Sequence, residues 1–78
     1  MLKPGRYRHF KGNEYQVLEV ARHSETLEEF VVYRALYDSK DGKPGGLWIR
    51  PLNMFTEEVE RDGRRQPRFA LIEADPLR

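Results

Sequence analysis

His23, Glu25 and Glu28 are the residues whose types and spacing come nearest to acid–base or metal chemistry in this chain. An imidazole titrates near neutrality, and a nearby carboxylate can orient it. With His9 added, two imidazoles and two carboxylates would be enough donors for zinc. No His-x-x-x-His spacing or comparable metal motif is present, however, so no metal is expected. The plainer expectation is an imidazole bonded to its own loop backbone, with the acids solvated or set against Arg22. Ser24 beside His23 suggests a nucleophile and its base. Adjacent side chains on an extended segment face opposite ways, and no Gly-x-Ser-x-Gly elbow is present. The Asp41–Gly46 loop lacks the residue order of a phosphate loop. No catalytic residue and no cofactor are therefore assigned.

Arg34 and Arg50 suggest a different chemistry. Arg34 interrupts an apolar strand pattern, and Arg50 alternates with Trp48 ahead of Pro51. On neighbouring strands, Arg34, Trp48 and Arg50 would converge with Tyr33, Tyr37 or Phe55. A groove of guanidinium and aromatic groups suits peptide carboxylates, phosphates or stacked rings. The candidate ligand-binding set is His23, Glu25, Arg34, Tyr37, Trp48 and Arg50. Arg34 has a structural alternative, as a clasp held by Glu25, Glu28 or Glu29, because a buried arginine must find a partner. Tyr15, Tyr33 and Phe69 read as core.

The net charge of +1 gives no global case for nucleic acid or a membrane surface. Locally, Arg6, Arg8 and Lys11 cluster before the first acid, and Arg64, Arg65 and Arg68 cluster near the other end. These six are the alternative, nucleic-acid-binding set. Solvated faces with internal ion pairing are the plainer reading of them.

These side chains must be positioned by a short chain. Its 78 residues make one domain, expected over 1–74 with a frayed tail at 75–78. Such a domain buries roughly 60–65% of its unfolded surface and is stable by ~3–5 kcal/mol. A ligand should therefore lie in a surface groove. With no cysteine, disulfides and thiolate sites are excluded, and a reducing cytosol is the expected location. The N-terminal residues lack a signal-peptide core, and no apolar run reaches the ~20 residues of a membrane helix.

Turn residues recur at intervals that suit short strands. Gly12-Asn13 predicts a two-residue hairpin in which Lys11 faces Glu14, Phe10 faces Tyr15 and Tyr7 faces Leu18. The apolar phase breaks near Leu18, which predicts a bulge. Thr26-x-x-Glu29 matches a capping box, so the Arg22–Glu29 loop could hold one helical turn. Phe30–Tyr37 is the clearest strand. Residues 51–55 suit a single helical turn with proline at its start. Glu57–Arg61 and Gln66–Ile72 flank Asp62-Gly63, a second hairpin signal that sets Glu60 against Arg65. The fold expected is mainly β, a small SH3-like barrel of five or six short antiparallel strands with one helical turn.

Gly5-x-Tyr7-x-His9-Phe10-Lys11-Gly12-Asn13-x-Tyr15-x-Val17 opens the chain, followed by His23-Ser24-Glu25-Thr26-x-Glu28 and Val31-Val32-Tyr33-Arg34-x-Leu36-Tyr37. Trp48-x-Arg50-Pro51-Leu52-x-Met54-Phe55 and Pro67-Arg68-Phe69 complete the set. The ordered pattern resembles the bacterial DUF1653 family, a domain of unknown function, over nearly the whole chain. The resemblance implies an SH3-like barrel and brings no established activity. The leading functional expectation is a cytosolic, non-catalytic binding module for a peptide or small ligand. Its groove would lie between the Arg22–Glu29 and Ser39–Gly46 loops, with the Trp48 strand as floor. A nucleic-acid-binding barrel is the alternative, and a small enzyme centred on His23 the third class. The expected partner is a protein or peptide. The oligomeric expectation is a monomer or a weak homodimer through an edge strand near Pro67.

Overall fold

The computed structural model describes residues 2–36 and 46–76. Tyr37 and nearly all of the Ser39–Gly46 loop lie outside the described residues. The chain starts with a hairpin of β1 (Gly5–His9) and β2 (Glu14–Arg22). Its register corrects the sequence expectation: Tyr7 faces Tyr15 and Arg8 faces Glu14. The turn is longer than two residues, because His9 uses its own side chain in it. His9 N–H donates to the Asn13 carbonyl, and Gly12 N–H donates to the His9 carbonyl. The Lys11 N–H donates to His9 Nδ1 at 3.2 Å.

β2 pairs onward with β3 (Glu29–Ala35), and the register shifts between Val17 and Glu19. That is the bulge expected at Leu18. It lets Val17 and Val20, which a regular strand would put on opposite faces, sit opposite the inward residues Tyr33 and Val31. β3 then pairs with β4 (Leu47–Pro51), and the chain continues into the single turn α1 (Leu52–Phe55). Pro51 leads into that turn with φ −51, as its ring requires.

β5 (Glu58–Arg61) and β6 (Arg64–Pro67) form a separate hairpin, with Glu60 opposite Arg65 as expected. β7 (Phe69–Ala74) returns to pair with β1. The single strand expected over Gln66–Ile72 is thus split at Arg68, whose N–H donates to the Glu57 carbonyl. The tail is tied further than expected: Asp75 N–H donates to the Pro4 carbonyl, and Gln16 Nε2 donates to the Asp75 carboxylate at 3.1 Å.

The architecture is mainly β: among the described residues, a five-stranded antiparallel sheet in the order β4-β3-β2-β1-β7 and the two-stranded β5-β6. The sheet curls but does not close, since no ladder joins its edges β4 and β7 among the described residues. α1 and aromatic side chains fill the seam instead. Tyr7, Val17, Val31, Tyr33, Phe55 and Phe69 form the core, with Leu2, Tyr15 and Leu52 packed against it. Phe55 of α1 stacks on Phe69 of β7 with centroids 4.0 Å apart and planes at 5°. Among the described residues no helix is long and apolar enough to cross a membrane.

Candidate functional site

Directly opposed residues of an antiparallel pair point to the same face of the sheet. Tyr33 opposes Trp48 and Val31 opposes Arg50. Tyr33 and Val31 are buried in the core, so Trp48 and Arg50 belong to its concave face. Arg34 opposes Leu47 and so belongs to the convex face, where it is exposed and, among the described residues, in no ion pair. The expected convergence of Arg34 with Trp48 and Arg50 is therefore corrected: strand alternation separates them. The acid clasp on Arg34 is likewise not formed among the described residues.

The expected groove between the two long loops lies partly outside the described residues, since they end at Leu36 and resume at Gly46. Residues 23–28 lead into the Glu29 end of β3, and Leu36 follows its Ala35 end. Seven strand residues lie between these ends, a span of ~20 Å.

His23 is engaged in its own loop. Its Nδ1 accepts the Glu25 N–H at 3.1 Å and the Thr26 N–H at 3.3 Å. Its backbone N–H donates to the Glu28 carbonyl, and Leu27, at φ +63, donates to the His23 carbonyl. Thr26 Oγ1 accepts the Glu28 N–H. The Thr26–Glu29 pattern therefore closes a hairpin turn, and no helix forms there. Two surface depressions flank this region, one lined by Glu28, Glu29, Leu52 and Asn53, the other by Leu2, Glu19, Val20, Arg22, Glu29 and Leu52. His23 lines neither. Among the described residues no group of three or more His, Asp or Glu is placed to hold a metal ion.

The basic candidates are distributed and largely compensated. Arg8 Nη2 lies 2.9 Å and Arg6 Nε 3.9 Å from the Glu14 carboxylate. Arg65 pairs with Glu58 at 3.2 Å. Arg68 donates through Nε and Nη2 to a single oxygen of Glu57, at 2.9 and 2.5 Å. Lys11 and Arg61 sit against the Phe10 ring at 5.8 and 5.9 Å.

Arg50 is different. Of the two half-buried arginines among the described residues, Arg68 has Glu57 and Arg50 has no carboxylate. Arg50 Nε instead reaches the Tyr33 hydroxyl at 3.5 Å, and its guanidinium lies 5.6 Å from the Phe69 centroid. Next to it, the Trp48 indole is 54% exposed. His9 closes the other side of Phe69, with its ring edge-on at 4.8 Å. Burial, then the charges of Arg68, Arg50 and Lys11, hold the His9 imidazole below its ordinary value of 6.5. The concave face thus presents an exposed indole, an uncompensated guanidinium and a positive local field. Sequence reasoning found Trp48 and Arg50. It missed that His9 and Phe69 join them, because that meeting depends on how β7 curls towards β4.

The family model for DUF1653, described as a protein of unknown function, matches residues 5–71. A crystal structure of a DUF1653 protein from Bordetella bronchiseptica superposes with a TM-score of 0.81 at 39% sequence identity, covering 99% of this chain and 95% of that one. No curated protein matches the chain. With a family model spanning most of its length and a solved relative covered almost end to end, the chain belongs to the DUF1653 family.

Proposed function

We propose that this chain is a non-catalytic binding module for a peptide or small ligand, with its site on the concave face at Trp48 and Arg50. One observation carries the reading: a half-buried guanidinium without a carboxylate partner among the described residues sits beside an indole that is 54% exposed. Desolvating an arginine is unfavourable unless something compensates it. An indole so placed offers a large apolar contact at little entropic cost. Tyr33 and Phe69 hold the guanidinium from below, so the site is preorganised. The cytosol remains the proposed location, on the lack of cysteine. In the nucleic-acid set, Arg65 and Arg68 each pair with an acid and Arg6 and Arg8 share Glu14, which weakens that reading.

Trp48 is the sole tryptophan, so its emission reports on this site alone. Titration with pools of short peptides should shift that emission saturably, and Arg50→Gln should weaken the response about tenfold. A pool that binds equally well to Arg50→Gln, or binding that vanishes in Arg64→Ala/Arg65→Ala, would overturn the reading.

A further inference from the structure

We propose that the group this site recognises is an oxyanion, held between the Arg50 guanidinium and the Nε2–H of His9, which both pack against the Phe69 ring; this rests on the binding reading above. Three observations lead there. First, Arg50 brings a positive charge into a half-buried position and meets only a hydroxyl and a ring face among the described residues. Second, His9 Nδ1 already accepts the Lys11 N–H, so the neutral ring carries its proton on Nε2. That N–H has no protein acceptor among the described residues and is free to donate to a ligand. Third, Arg50 and His9 both approach the same ring, at 5.6 and 4.8 Å, from β4 and β1. The two strands are not neighbours in the sheet order, so only its curl brings both side chains to one ring.

The field at this point is positive from every side that packs on His9: Lys11 from the turn, Arg50 from β4, and Arg68 ahead of β7. Glu57 offsets Arg68 alone. An oxyanion placed here would neutralise Arg50 and favour the protonated imidazole, turning one neutral hydrogen bond into a charge-assisted one. A carboxylate and a phosphate share this chemistry.

The test is an NMR titration of the intact protein with three probes: an acetylated Trp-free tetrapeptide with a free C-terminal carboxylate, the same peptide as its amide, and inorganic phosphate. The His9 ring nitrogens, the Arg50 Nε–H and the Trp48 indole are followed. The expected result is that the free acid or phosphate moves Arg50 Nε–H and raises the His9 titration midpoint, with the amide at least ~tenfold weaker. Whichever of the two acts identifies the source of the oxyanion. If the amide moves Trp48 as strongly as the acid while His9 stays still, the oxyanion assignment is overturned and the binding face stands. If no probe moves Trp48, Arg50 or His9 at millimolar concentration, both are overturned. His9→Asn keeps an acceptor for the Lys11 N–H but withdraws the donor from the Nε2 position, because its shorter amide cannot reach there. It should weaken the acid several-fold and leave the amide unchanged, and equal affinity of the folded variant for the acid would count against the clamp.

Discussion

At the residue scale, stability and recognition separate cleanly. Phe55 is 1% exposed and stacked on Phe69, so truncation removes the seam's central ring. Phe55→Ala should cost ~3–5 kcal/mol. That matches the whole expected stability of a domain this size, so near-UV circular dichroism at 25 °C should show lost tertiary packing. Gly5 lies at φ +152, and a Cβ there would run into the Glu73 carbonyl oxygen of β7. Gly5→Ala should therefore destabilise by ~2–3 kcal/mol in urea unfolding, through strain and displacement of the β1–β7 pair. Trp48→Ala should do the opposite. Its indole is mostly exposed, so the loss of stability should stay under ~1 kcal/mol while ligand binding disappears. A residue that matters for binding and little for folding is what the site reading requires. His23→Ala should have no effect on that binding, because its imidazole serves the backbone of a distant loop.

At the element scale, what could be read from sequence depended on how local the determinant was. Asp62 and Gly63 adopt φ +54 and +76, the two positive values that a tight hairpin turn needs. The dipeptide alone specifies them, so Glu60 opposite Arg65 was legible. Gly63→Ala should cost ~1 kcal/mol on the same grounds, measured by the urea midpoint. Gly12-Asn13 carried a similar signal and misled, because the His9 side chain supplies a competing acceptor that widens the turn. The correct register has a physical logic: it sets Tyr7 beside Tyr15 on the concave face and Arg8 beside Glu14 on the convex one. The Leu18 bulge was legible because both phases of the apolar pattern are written along β2. The division of labour between Arg34 and Arg50 was not. It depends on the β3–β4 register, which sets Arg34 opposite Leu47 and Arg50 opposite Val31.

At the scale of the whole molecule, the curl of the sheet makes the site. The mainly-β character followed from turn spacing and alternation. The open seam, and the approach of His9 and Arg50 to the one Phe69 ring, arise only when β7 and β4 approach each other. The same burial gives a pH signature. The His9 imidazole is held below 6.5 in the fold, so the unfolded chain binds more protons just below that pH. Stability should be complete above pH ~6.5 and decline as the pH falls through the lowered His9 value. Burial raises the Tyr7 phenol above 10.0, so stability should also decline as the pH rises above ~10. Thermal unfolding across this range should trace a plateau between the two, and His9→Asn should flatten its acid limb.

The most direct measurement is amide and side-chain shift mapping of the labelled protein with a peptide pool selected by Trp48 emission. The account predicts that Trp48, Arg50, Tyr33, Phe69 and His9 move together and that Arg34, Val32 and Ile49 on the convex face do not. Shifts confined to the convex face, or running along Arg64 and Arg65, would contradict it.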